Sequence, residues 1–287
     1  MLTSDHGAWG FTSSTGLGFT HHTIVDAHFH ACADTYGHLL GQAGIQPGWR
    51  VLDAGCGSGD FLPWLAALVG PQGQVDALDL AEENAALARR RTDALDLACG
   101  IDVRQGSVLA LPYADDSFDA VWCSNTVQYL DDGELAGALS EMCRVVRPGG
   151  VVAVKELDPH LITARPVDPF LFHDFFRAAG ATPGYARQLM RSRDLYRWLK
   201  RAGLAGVRQQ TVLIEHFAPL TEAARDFYGS ACAQLATQAR DLGLSDEWEL
   251  FLDPEAGRNP LDHPDGYISE GGVLAVGTVP PGARELR

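Results

Sequence analysis

The residues with the most chemical promise lie just past position 50. Asp53-Ala-Gly55-Cys-Gly57-Ser-Gly59 follows an apolar, β-branched run and opens an amphipathic one. Glycines at such a strand-to-helix turn let the backbone bend sharply and approach a ligand with no Cβ in the way. The helix that follows offers unpaired N–H groups at its start. Asp79 closes the next apolar run, 20 residues beyond Gly59, where a carboxylate can accept both hydroxyls of a ribose. Two ligand classes use this layout. A dinucleotide with a pyrophosphate prefers G-x-G-x-x-G. Here the third position of that pattern is Asp60, and the glycines read G-x-G-x-G behind Asp53. A carboxylate at the front of the loop suits a cation and is awkward beside a pyrophosphate. S-adenosylmethionine, with a sulfonium, an ammonium and no phosphate, fits this charge pattern better than a nicotinamide or flavin dinucleotide.

The surrounding elements must hold that loop. VLDA (51–54) reads as a strand, and Leu62, Leu65, Ala66 and Val69 then mark one helix face. VDALDL (75–80) is a second strand, and EENAALARRR (82–91) a helix acidic at its start and basic at its end, as the helix dipole favours. IDVRQ (101–105), FDAVWCS (118–124) and VVAVKE (151–156) are three more strands. A helix marked by Leu135, Leu139, Met142 and Cys143 precedes the last of them and is closed by Arg-Pro-Gly-Gly. Strands alternating with helices imply right-handed βαβ units and a parallel sheet. Residues 189–202 read as a further helix, 207–217 and 271–279 as strands, and 221–242 as helical. The expected organisation is an N-terminal arm with lid helices (1–44, the first 22 residues mobile), a cofactor-binding core (45–156), a cap insert (157–188), a core helix and strand (189–217), a second cap insert (218–266) and a closing strand and tail (267–287). Such caps would stand over the carboxyl edge of the sheet, where open α/β folds bind ligands.

Composition narrows the partners. The 287 residues carry a net charge of −15, with 46% hydrophobic residues and a pI near 4.9. A surface that acidic repels phosphate backbones and anionic lipid heads, so neither nucleic acid nor membrane is an expected partner. No apolar run approaches the roughly 18 residues of a membrane span, and the N-terminus lacks the pattern of a secretory signal. Six scattered cysteines without a C-x-x-C read as free thiols of a cytoplasmic protein.

DAGCGSGDF resembles motif I of the class I S-adenosylmethionine-dependent methyltransferases, and Asp79-Leu80 the acidic position after their second strand. RQGSVLALPYADDSFDAVWCSNTVQYLDD and RVVRPGGVVAVKE resemble the segments carrying the adenine loop and the fourth and fifth strands. The closest likeness is to the ubiquinone/menaquinone-biosynthesis (methyltransferase type 11) group. It covers about residues 47–156, and more weakly 198–207 and 263–280. The resemblance implies an α/β, Rossmann-like, doubly wound seven-stranded sheet with helices on both faces, here with a helical cap, and S-adenosyl-L-methionine as cofactor. It implies that Asp53, Gly55, Gly57 and Gly59 meet the methionine moiety, that Asp79 holds the ribose, and that Leu80 packs on adenine. Gly106, Ser107 and Val108 would edge the adenine, and Asn125 would line the methyl-transfer face. Family members often carry Asp where this chain has Ser107, which weakens the expected contact to the adenine amino group.

Other groups could do chemistry. Val25-Asp26-Ala-His28-Phe-His30 resembles the opening H-x-H of metal-dependent amidohydrolases, which bind metal from a strand. Those enzymes need a (β/α)₈ barrel and this chain is committed elsewhere, so no metal is expected. A hydroxyl or activated-carbon acceptor requires a general base, for which His28, His30, Tyr129, His173, Tyr185 and His216 are unranked candidates. Residues 161–201 hold eight basic groups against three acidic ones. Arg193, Arg197, Lys200 and Arg201 share one helix face and read as solvated. Arg165, Arg187 and Arg191 flank an aromatic cluster of Phe170, Phe172, Phe175 and Phe176, and arginine grips carboxylate or phosphate bidentately. The expected substrate is therefore a small specialised metabolite with an apolar body and an anionic head, such as an isoprenoid diphosphate or a polyketide acid. Arg165, Arg187, Arg191, Phe172 and Phe176 would contact it. The alternatives are a methyltransferase-like protein with a non-methylating activity such as cyclisation, and a nicotinamide oxidoreductase, which Asp53 and Asp60 oppose.

Overall fold

The computed structural model describes residues 9–253, 255 and 257–281. Its strands are β1 (Arg50–Ala54), β2 (Gln74–Asp79), β3 (Gly100–Gln105), β4 (Phe118–Ser124), β5 (Val146–Arg165), β6 (Ala205–Phe217) and β7 (Tyr267–Thr278). The helices are α1 (His22–Ala31), α2 (Ala33–Gly41), α3 (Leu62–Val69), α4 (Glu82–Asp93), α5 (Asp132–Val145), α6 (Leu171–Ala179), α7 (Tyr185–Met190), α8 (Leu195–Arg201) and α9 (Glu222–Asp241). The seven strands form one mixed sheet in the order β3-β2-β1-β4-β5-β7-β6, the doubly wound architecture expected from the alternation. The β3-β2-β1-β4-β5 half is parallel. The chain reverses its direction of travel across the sheet between β1 and β4, so the crevice for a ligand opens at the carboxyl ends of those two strands.

Two compact units emerge. Among the described residues, a Rossmann-like unit comprises 34–157, 191–211 and 272–281, and an aromatic unit comprises 9–33, 158–190 and 212–271. In the Rossmann-like unit the central strands are apolar on both sides, as buried parallel strands must be. Leu52, Val121, Cys123, Val152 and Val154 join Leu135, Leu139 and Met142 of α5 in its core. A capping box of Asp131 and Glu134 starts α5, and Pro63 and Gly70 bound α3.

In the aromatic unit, Phe172 and Phe175 of α6 pack edge-on or tilted against Trp248, with ring centroids 4.9 and 5.4 Å away. Trp9 adds contacts to Phe175 and Tyr185. Residues 9–21, read from their Gly, Ser and Thr content as part of a mobile arm, are therefore anchored. The Ser13 hydroxyl bonds those of Thr15 and Thr20 at 2.8 Å each. The mobility reading for positions 1–8 lies outside the described residues.

Two element boundaries differ from the sequence reading. β5 runs to Arg165 rather than stopping at residue 156, because β7 lies beside it. A Cβ on Gly271 would meet that of Asp158 at 2.8 Å, and Ser269 donates to the Leu161 carbonyl. Pro159 masks this extension in the sequence. The single helix expected over 189–202 is instead α7, a 3-10 turn at Arg191–Asp194 and α8. The turn lets Arg191 reach Asp132 and the carbonyls of Val127 and Leu130.

Candidate cofactor site

The glycine loop leaves β1 at the switch point. Gly55, Gly57 and Gly59 all take positive φ, at 89°, 54° and 92°, a region L-residues avoid. Gly55 has a second reason to be glycine: a Cβ there would stand 2.2 Å from Thr126 Oγ1. The Gly55 and Cys56 amides both donate to the Leu78 carbonyl, tying the loop to β2.

Asp53 sits beneath the loop, buried, and its Oδ2 has no hydrogen-bond partner among the described residues. Burial, then the nearby Asp79 charge, pushes its carboxyl up to about 8. Asp79 lies at the end of β2. Burial raises its pKa too, opposed by the amides of Ala81 and Gly57, which donate to it at 2.9 and 2.8 Å, and by the Asn84 side chain. A buried carboxyl with an idle oxygen and a half-buried one at the same loop want a cation or hydroxyl donors and would repel a pyrophosphate.

The second wall follows β4. Asn125 adopts φ +51° and is held from two sides. Its amide donates to the Tyr36 hydroxyl at 3.3 Å, and its Oδ1 accepts from Lys155 Nζ at 2.8 Å. Lys155 is fully buried, with Nζ 3.4 Å from the centroid of the Tyr36 ring, a cation–π contact. The next residue, Glu156, accepts from the amides of Thr126 and Val127 through Oε1, while its Oε2 has no partner. Burial lifts this carboxyl to about 7, against the pull of Lys155 and the amides.

The sequence-derived cofactor residues thus gather around the ends of β1, β2 and β4, all in the Rossmann-like unit. Leu80 is exposed. Ser107 Oγ accepts from the Leu109 amide. The Val108 side chain is buried in the core and leaves only backbone for a ligand. Spacing alone passed over Lys155, Glu156 and Thr126; the one sequence signal was an ionic Lys-Glu pair ending an otherwise apolar strand.

The substrate and base candidates scatter. Phe172 and Phe176 are core residues of the aromatic unit, and Phe170 is the ring exposed instead. The amphipathic period of α6 turns the former inward. Arg165 stacks over Tyr267 and, like Arg187, is exposed. Arg191 is committed to Asp132 and two carbonyls, so it is a tether between segments and not a free anion receptor. His28 bonds Glu270 at 2.9 Å, His30 is exposed, Tyr185 packs against Trp9, and Tyr129 lies in the 3-10 turn after Asn125. His216 is partly buried, and burial lowers its pKa. His173 lines a cleft of about 510 Å³ with Phe170, Asp174, Arg177, Gly180 and Met190.

The methyltransferase-domain family model matches residues 51–150, the span holding every loop just described up to Gly150. A demethylmenaquinone methyltransferase of Staphylococcus epidermidis is 29% identical over 61% of this chain and 68% of its own. One from Halalkalibacterium halodurans is 32% identical over 56% of this chain and 62% of its own. The chain thus spans about two thirds of the length of these relatives. A SAM-dependent methyltransferase from Methanosarcina mazei shares the fold at TM-score 0.52 and 14% identity, covering 84% of this chain and 97% of the other. With the switch-point loop, its idle carboxylate and these relatives in agreement, residues 51–150 carry a methyltransferase domain, and the chain is similar to S-adenosylmethionine-dependent methyltransferases of the menaquinone-biosynthesis type.

Proposed function

We propose that Asp53 and Asp79 are the anionic contacts that hold S-adenosylmethionine, and that the acceptor is a small specialised metabolite with an apolar body. The observation that carries the first part is the idle, buried Oδ2 of Asp53: a buried carboxylate is costly until a cation or donor meets it. When bound, the cofactor supplies a methyl group on a sulfonium. Asp53 would take the ammonium, Asp79 the ribose hydroxyls, Leu80 the adenine face. Asn125, locked between Tyr36 and Lys155, would give the transfer face a fixed edge. Much of such catalysis is alignment, and a residue braced from two sides is suited to it.

For the acceptor, the exposed Phe170 and Met190 with His173 and Arg177 in one cleft support an apolar molecule, with His173 as the base. An anionic head would fall to Arg165 and Arg187, since Arg191 is occupied. Two measurements test the reading. Calorimetric titration with S-adenosylmethionine, S-adenosylhomocysteine and NADH should show micromolar binding of the two adenosyl ligands alone, lost in Asp79→Ala; NADH binding in their place would make the protein an oxidoreductase. A screen of apolar acids and diphosphates should yield a methylated product whose KM rises in Arg165→Ala/Arg187→Ala. An unchanged KM removes the anionic head from the proposal.

A further inference from the structure

The aromatic unit holds a cluster that methyl transfer does not use. His28 of α1 and Cys32, the C-cap residue of that helix, lie four residues apart, with the Cys32 amide donating to the His28 carbonyl, which stacks the two one turn apart, and Glu270 of β7 stands opposite. His28 Nε2 is 2.9 Å from Glu270 Oε1, Cys32 Sγ is 3.5 Å from the same oxygen, and the three donor atoms lie within 4.8 Å of one another. Cys32 and Glu270 are buried, at 2% and 1% exposure, and the His28 side chain is at 13%.

We propose that His28, Cys32 and Glu270 bind one divalent transition-metal ion of the zinc class. Geometry carries the argument. Around tetrahedral zinc, with bonds of about 2.0–2.1 Å to nitrogen and oxygen and about 2.3 Å to sulfur, the nitrogen–oxygen edge is about 3.4 Å and the sulfur–oxygen edge about 3.6 Å. The sulfur–oxygen edge is already met, and the nitrogen–oxygen edge needs about half an ångström of opening. The donor set is the mixed imidazole, thiolate and carboxylate set that zinc accepts and hard magnesium or calcium does not.

A second observation points the same way. The His216 ring of β6 lies 5.1 Å from that of Tyr228, whose hydroxyl approaches Cys32, and its Nε2 is buried without a hydrogen-bond partner among the described residues. The shell is also of the kind that orients ligands. The Phe227 ring stacks on the His28 imidazole at 3.9 Å and 8°, and the Tyr228 hydroxyl lies 3.8 Å from Cys32 Sγ. The H-x-H pair of the sequence does not assemble, because α1 is a helix and residues two apart diverge; the ligand partner of His28 is at i+4.

The test uses the full chain, reduced, stripped with a chelator and titrated with Co²⁺, then Zn²⁺. One Co²⁺ per chain should bind with a thiolate-to-cobalt charge-transfer band and the strong visible bands of four-coordinate cobalt, and one Zn²⁺ should displace it. Cys32→Ser should abolish the charge-transfer band, whereas Cys99→Ser keeps it. Glu270→Gln should weaken Zn²⁺ binding at least tenfold. His28→Gln serves as a second ligand variant should Glu270→Gln fail to fold. Absence of stoichiometric cobalt binding by the folded parent chain, or a band that survives Cys32→Ser, would overturn the proposal.

Discussion

The two units bury opposite things. The Rossmann-like unit buries carboxyls whose partners are incomplete, since Asp53 and Glu156 each keep an oxygen idle, and it encloses Lys155 against Asn125 and Tyr36. The aromatic unit buries rings against rings, with Phe172, Phe175, Trp248 and Phe251 interlocked, and its buried carboxylate Glu270 is answered by His28 and Cys32. Burying an unanswered carboxyl costs stability, while burying an aromatic ring adds it. Readiness for a ligand and solidity of packing are therefore separable in this molecule, residue by residue.

Trp248→Ala should produce the largest loss. It removes the ring at the centre of the aromatic unit and should cost about 3–5 kcal/mol of stability, read as a lowered melting temperature with cofactor affinity retained if the units melt separately. Loss of both together would break the contrast.

Asp53→Asn should act in reverse. Cofactor affinity should fall by about 10- to 100-fold, the worth of a hydrogen bond to a charged group, while the unliganded protein becomes no less stable near neutral pH. A destabilised but tightly binding variant would show that Asp53 is structural.

The pH dependence follows from the same carboxyls. Because the folded pKa of Asp53 is raised to about 8 and that of Glu156 to about 7, their neutral forms favour the folded state. That stability is fully present below the unfolded pKa near 4 and is lost as pH rises through 7 and 8. Chemical denaturation of the unliganded protein should show this decline, and Asp53→Asn should flatten it. With Asp53 taking the ammonium as proposed, binding requires its ionised form, so affinity should rise by up to about tenfold per pH unit below 8. The gain should stop there, where the ligand's own α-ammonium begins to lose its proton. Affinity independent of pH between 5 and 8 would contradict this account.

The smallest effect separates the arginines. Arg191→Ala should leave substrate KM unchanged and cost about 1 kcal/mol of stability, since its partners are Asp132 and two carbonyls. Arg165→Ala and Arg187→Ala should do the converse. A KM change in Arg191→Ala would restore it to the substrate site.

The sequence made the strands of the parallel half and the glycine loop readable, because both depend on local pattern: apolar runs, breakers and the carboxylates Asp53 and Asp79 at the ends of the first two strands. It hid what depends on distant partners. The length of β5 is set by β7, more than a hundred residues away, and the turn at Arg191 by Asp132 and the carbonyls near it. The aromatic run at 170–176 was legible as a cluster, but the face of α6 that turns inward is decided by Trp248. Lys155 and Glu156 looked like an ordinary strand end, although both are buried beside the cofactor loop.

The contact between Gly55 and Thr126 has a consequence for recombining such enzymes. Thr126 fills the space a side chain at 55 would need, and its own amide is pinned by Glu156. The turns after β1 and β4 and the middle of β5 are thus interlocked in series. A chimera that imports only residues 53–59 from a relative with a bulkier residue at the Gly55 position should collide with Thr126. Transplanting 53–59 together with 124–128 and position 156 moves a self-consistent block, in which each of these contacts keeps its own partner.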